Sequence, residues 1–164
     1  MKVLVATDGS DAAIEASRRA FALLRPGAEM LLVAVVPDYE NPEEMAGGFE
    51  GPVASDKQAE REFEEGERAG AAALSRTAAA LTGAAAAEAG AEPAVEPAIE
   101  VRLVPAGDEP GPAIVAVAEE TKADLIVIGA HTKGFVRRLL TKSASDHVVH
   151  HAPCPVLVIR SDHP

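Results

Sequence analysis

The chain has 164 residues, enough for one domain with its own core, and 48% of them are hydrophobic, which excludes a disordered chain. Lys and Arg number 15 against 26 Asp and Glu, a net charge of −11, so neither nucleic acid nor an anionic membrane surface is an expected partner. No apolar run approaches the roughly 20 residues that span a bilayer, and the single Cys154 has no internal disulfide partner, which fits a reducing cytoplasm.

"KVLVAT" (Lys2–Thr7) is apolar, β-branched and bounded by "DGSD", the pattern of a buried strand and not of a signal-peptide core. Ser10 or Asp11 caps the next helix, whose apolar positions Ile14, Phe21 and Leu24 recur near helical spacing until "RPG" stops it. "MLLVAVV" (Met30–Val36) is a second buried strand, ended by Pro37. A right-handed crossover makes the two strands parallel.

Asp38 to Glu67 then holds 11 acids and only two bases, Lys57 and Arg61. Its first part, rich in Gly and Pro, reads as a loop, and Lys57–Leu81 as a helix that Gly66 and Gly70 weaken locally. "TGAAAAEAGAEPAVEPA" reads as a helix tail and a surface linker. "IEVRLV" (Ile99–Val104) alternates strictly, as a strand exposed on one face does. "PAGDEPGPA" turns into a helix with Pro112 near its start, its inward residues being Ile114, Val117 and Ala118. "ADLIVIG" (Ala123–Gly129), the most apolar run, is expected to be a central strand. "SASD" (Ser143–Asp146) has a capping-box pattern and starts the last helix, with Ala144, Val148 and His151 as its stripe. "APCP" breaks that helix before the final strand, "VLVIR" (Val156–Arg160). Five strands separated by four helices predict a doubly wound parallel α/β sheet.

In such sheets ligands lie at the carboxyl ends of the strands, where strand order reverses. Three segments converge there: "TDGS" after the first strand, "VVPD" after the second, and "GAHTKGFVRRLLTKSAS" (Gly129–Ser145) after the fourth. Asp8 can accept hydrogen bonds from a ribose or a base edge, although Asp-Gly is also ordinary turn chemistry. Val35 and Val36 can offer backbone groups to a base. Lys133, Arg137, Arg138 and Lys142 form a local inversion of sign in an acidic chain. With the hydroxyl and free N–H groups of a helix start they suit phosphate; a solvated basic stretch before an ordinary cap explains them equally. His147, His150 and His151 sit at helical spacing, but no Cys or paired acid completes a metal set, so no metal is expected. Cys154, between two prolines, reads as a small apolar residue. No Ser-His-Asp order or Gly-x-Ser-x-Gly elbow is present, so no catalytic residue is assigned and a non-enzyme is expected.

"KVLVATDGSDAA", "AGDEPGPAIVAVAEETKADLIVIGAHTKG" and "RRLLTKSASDHVVHHAPCPVLVIR" together resemble the universal stress protein family. The resemblance implies a single domain over 1–164, with a variable acidic loop and helix and an Ala-rich linker at about 38–97. It implies a flavodoxin-like, Rossmann-like three-layer α/β/α sandwich with strand order 3-2-1-4-5. It also implies a homodimer paired through the last strand, 156–160. The family's ATP-binding branch has a loop pattern of Gly, two residues, Gly, nine residues, Gly, then Ser or Thr. Here those positions are Gly129, Thr132, Lys142 and Ser143, so the first Gly and the hydroxyl match and the other two glycines do not. Gly134 is placed to take the bend in place of Thr132. The candidate adenine-nucleotide (ATP or AMP) site is therefore Thr7, Asp8, Val35, Val36, Gly129, His131, Thr132, Gly134, Lys142, Ser143, Ala144 and Ser145. Three functions follow: a dimeric stress-response protein with a degenerate adenine-nucleotide site, a nucleotide-independent dimeric module acting on protein partners, and a slow ATPase.

Overall fold

The structure, a computed structural model, describes residues 1–24, 27–36, 53–89, 98–106, 109–130 and 142–160. Five strands, β1 (Lys2–Ala6), β2 (Glu29–Val36), β3 (Ile99–Pro105), β4 (Leu125–Ala130) and β5 (Val156–Arg160), form one parallel sheet in the order β3-β2-β1-β4-β5. Among the described residues four helices accompany them: α1 (Asp11–Leu23), α2 (Val53–Ala89), α3 (Pro110–Thr121) and α4 (Lys142–His151). No described helix is long and apolar enough to cross a membrane.

The alternation of side chains along each strand divides the core in two. Val3, Val5, Met30, Leu32, Ala34, Val127 and Ile159 point to the face covered by α1 and α2, through Ala16, Ala20, Leu74 and Leu81. Leu4, Ala6, Leu31, Val33, Val35, Ile126 and Ile128 point to the face covered by α3 and α4, through Ile114, Val117, Ala118 and Val148. The three-layer α/β/α sandwich and the order 3-2-1-4-5 are as the family resemblance implied. The most apolar run, β4, is an inner strand as expected, flanked by β1 and β5.

Several local expectations are corrected. α1 buries its small residues, Ala13, Ala16, Ser17 and Ala20, while Ile14, Phe21 and Leu24 flank that face half-buried. A helix of small residues lies closer to a sheet than one of large residues. α2 runs from Val53 to Ala89: it starts before the expected Lys57, and the expected helix tail after Leu81 reaches Ala89, because its Ala run favours helix and Ala85 is buried. Gly66 and Gly70 do not interrupt it. A Cβ on Gly70 would stand 2.6 Å from both Leu103 Cδ2 and Val36 Cγ1, so this glycine permits the contact between α2 and the β2–β3 pair. β3 does not bury every second residue: it is an edge strand, and Val101 is 52% exposed. α4 opens at Lys142, one residue before the expected start at Ser143, within the usual variation of helix ends. Ala144 and Val148 are buried as expected, but His151 is exposed.

Candidate functional site

Strand order reverses between β1 and β4, which run side by side with Ala6 opposite Ile128. One residue further on each strand are Thr7 and Gly129. On the other side of β1, Ala6 pairs with Val33, so Asp8 lies level with Val35. The topology therefore gathers Thr7, Asp8, Val35, Val36 and Gly129 at the carboxyl end of the sheet. His131, Thr132 and Gly134 lie outside the described residues, as do Lys133, Arg137 and Arg138. Lys142 and Ser143 are in the first turn of α4, followed by buried Ala144 and half-buried Ser145. The first N–H groups of such a helix have no partner within it.

The β1 loop is fixed by hydrogen bonds on both of its flanks. Asp8 Oδ1 accepts from the Ser10 N–H at 2.9 Å and from the Ser10 hydroxyl at 2.6 Å. Ser10 Oγ in turn accepts from the Ala13 N–H at 3.2 Å, capping α1. One carboxylate thus shapes the turn and orients the cap, which is why Asp-Gly-Ser precedes this helix. Thr7 is 4% exposed, and its N–H donates to the Val33 carbonyl at 2.9 Å. Its Oγ1 accepts from the Gly9 N–H at 3.1 Å and lies 3.0 Å from Thr77 Oγ1. Thr77 spends its only hydroxyl proton on the Ala73 carbonyl at 2.8 Å, so Thr7 is the donor between the two hydroxyls. Gly9 has φ of +69°, and a Cβ there would stand 2.5 Å from Ala73 Cα.

α2 thus joins the site, which sequence reasoning missed. Gly70, Ala73 and Thr77 share one helix face, and that face meets Val36 and Gly9 at the ends of β2 and β1. The Arg76 guanidinium also reaches Gly9, 2.9 Å from where a Cβ would be. The only sequence signal was a glycine and a threonine seven residues apart in a Glu- and Ala-rich helix. The Val36 carbonyl accepts from the Ala106 N–H at 2.9 Å, so one of its lone pairs is engaged by the chain leaving β3. Gly129 is buried at the end of β4, where a Cβ would touch Ala16 Cβ at 3.4 Å and Ala13 Cα at 3.5 Å. Its small size seats α1 on β4.

The histidines of α4 make local contacts. The rings of His147 and His151 stack 4.1 Å apart. The His151 Nδ1 lies 2.8 Å from the His147 carbonyl, and the His150 Nδ1 lies 2.7 Å from the Asp146 carbonyl. Among the described residues, no three or more His, Cys, Asp or Glu side chains gather as metal ligands do. Cys154 packs half-buried against the α3–α4 core. Burial, and after it the negative charge of Asp124, raises its thiol pKa above the ordinary value. The neutral thiol is the favoured form, the reverse of what activates a cysteine nucleophile.

Known proteins share this architecture. The model of the universal stress protein family matches residues 1–160. A universal stress protein of Thermus aquaticus, from the QAH/OAS sulfhydrylase 3′ region, is 35% identical over 162 residues, covering 96% of this chain and 97% of that protein. A universal stress protein of Methanocaldococcus jannaschii is 45% identical over 51 residues, 31% of this chain and only 30% of the relative's length. UspA from Lactobacillus plantarum superposes with a TM-score of 0.70 at 25% identity, covering 98% of this chain and 97% of that one. A universal stress protein from Archaeoglobus fulgidus, solved in complex with dAMP, gives a TM-score of 0.55 at 26% identity over 97% of each chain. Another universal stress protein, solved in complex with cAMP, gives 0.57 at 25% identity, covering 97% of this chain and 96% of that one. The family match over residues 1–160 and the near full-length relative at 35% identity establish that the chain belongs to the universal stress protein family.

Proposed function

We propose that this chain is a stress-response protein that binds an adenine nucleotide, ATP or AMP, without turning it over, and that it works in the cytoplasm as a homodimer. The observation that carries the reading is the Thr7–Ser10 loop, fixed by hydrogen bonds at the point where strand order reverses and level with Gly129. Relatives 26% and 25% identical, bound to dAMP and to cAMP, support the ligand class. On this reading the β1 loop and the end of β2 receive the nucleoside. The phosphates meet the first turn of α4, at Lys142 and Ser143, whose backbone N–H groups have no partner within the helix.

A second reading, a nucleotide-independent dimeric module that acts on protein partners, is favoured by α2. Its Gly70 and Ala73 close directly on Val36 and Gly9, over the strand ends where a base would lie. Calorimetry with ATP and AMP separates the two. Wild-type protein is expected to bind, and Thr132→Gly combined with Lys142→Gly to bind tighter, because glycine lets the backbone approach phosphate. No binding by either protein removes the nucleotide reading. Weaker binding by the double variant identifies Lys142 as a phosphate ligand.

A further inference from the structure

α2 is tied to the candidate site by a directed chain of hydrogen bonds. The Gly9 N–H donates to Thr7 Oγ1, the Thr7 hydroxyl donates to Thr77 Oγ1, and the Thr77 hydroxyl donates to the Ala73 carbonyl. Thr7 is 4% exposed and Thr77 0%, so no link is replaced by bulk water. Among the described residues no buried side-chain polar atom lacks a partner, so the chain is fully satisfied as it stands. Every link has one proton and one direction, and removing the acceptor at Thr77 leaves the Thr7 hydroxyl buried with nothing to donate to. Thr7 is also the residue that holds the Gly9 N–H, and Gly9 sets the course of the turn that carries Asp8 and Ser10.

The other helical threonines among the described residues have no such connection. Thr82 on the same helix and Thr121 on α3 each bond the carbonyl four residues back, and among the described residues neither hydroxyl reaches another element. A threonine that only satisfied its own hydroxyl would need nothing from β1. Thr77 does both: its proton goes to its own helix, and its lone pair goes to the site.

We propose that Thr77 is a positioning residue of the nucleotide site, holding the Thr7–Ser10 loop in its binding geometry and thereby coupling nucleotide occupancy to α2; this rests on the adenine-nucleotide reading above. Coupling of this kind is reciprocal. If α2 docked through Thr77 favours nucleotide, bound nucleotide holds α2 down by the same factor. The long helix, whose Glu60–Ala69 stretch is almost wholly exposed, then reports whether the site is filled.

The test uses the full chain, with ATP as the probe. Thr77→Val keeps the side-chain volume and removes the acceptor, and is expected to weaken ATP binding on the order of tenfold. Thr77→Ser restores the hydroxyl and is expected to bind close to wild type, as is the control Thr82→Val. Saturating ATP is expected to slow amide exchange across Gly70–Leu81 of wild type more than across Pro110–Thr121 of α3. Equal binding by wild type and Thr77→Val, or failure of Thr77→Ser to rescue a loss, overturns the coupling and leaves the nucleotide reading standing. If Thr77→Val does not fold, the wild-type exchange decides: no slowing in α2, or equal slowing in α2 and α3, overturns the coupling. Absence of ATP and AMP binding by wild type overturns the nucleotide reading, and the coupling with it.

Discussion

Gly9 is held from two sides. Its φ of +69° is a conformation that costs an L-residue about 1 kcal/mol or more, and α2 leaves no room for a side chain beside it. The nearest atom to an added Cβ is Ala73 Cα, 2.5 Å away, and backbone inside a helix cannot step aside as the end of a long side chain can. Both penalties fall on Gly9→Ala. The variant is expected to lose about 2–3 kcal/mol, or roughly 5–10 °C in Tm, with weaker nucleotide binding because Asp8 and Ser10 follow the turn. Thermal melts beside calorimetry check it, and an unchanged Tm contradicts the contact between the β1 loop and α2. The same loop shows what was legible at this scale. Asp8 and Ser10 were readable because Asp-Gly and a serine cap are local chemistry. Thr77 was not, because its role depends on Thr7, which is 70 residues away in sequence.

At the scale of elements, the strands were legible wherever a run of Val, Ile and Leu was long enough to need burial on both faces, as in β1, β2 and β4. Helix boundaries were less so. The Ala-rich sequence after Leu81 reads as a helix tail passing into a linker, but it lacks an amphipathic period that would fix where the tail ends; alanine needs no partner to favour helix, and Ala85 packs inward. α1 was assigned the wrong apolar face for a related reason: periodicity weights large residues, whereas contact with a sheet at close range selects small ones. The glycines of α2 make this testable. A Cβ on Gly83 meets nothing within 4 Å, so Gly83→Ala is expected to stabilise the protein by about 0.5–1 kcal/mol through helix propensity alone. Gly70→Ala gains the same propensity, but its Cβ falls 2.6 Å from Val36 Cγ1, and Val36 is 2% exposed with a stiff, branched side chain. Overpacking of about 1–3 kcal/mol outweighs the gain, so this variant is expected to be less stable than wild type. Denaturant midpoints of the two variants check the opposite signs, and a stabilised Gly70→Ala rejects the close approach of α2 to β2.

At the scale of the whole molecule, the proposed homodimer needs a sheet edge that can take a second copy. Among the described residues the edges are β3 and β5. The Met30 N–H bonds the Ala98 carbonyl and the Ala106 N–H bonds the Val36 carbonyl, so Ile99, Val101, Leu103 and Pro105 turn their backbone groups outward on β3. Pro105 has no donor to offer, and Glu100 and Arg102 add charge, so this edge resists pairing. On β5 the Ile126 N–H bonds the Pro155 carbonyl with Ile126 opposite Val156, so Val156, Val158 and Arg160 face outward. Two valines whose backbone groups point away from β4 invite an antiparallel two-fold pairing with the same strand of another copy. Because the Val158 N–H points away from β4, Val158→Pro removes a donor from the edge and not from the sheet, and the chain is expected to stay folded. Wild type is expected to sediment as a dimer at micromolar concentration and the variant as a folded monomer. The net charge of −11 on each copy opposes association and is screened by salt, so the dimer is expected to tighten as ionic strength rises toward about 0.15 M. A wild-type monomer at that salt, or a dimer untouched by Val158→Pro, places the contact elsewhere or denies it.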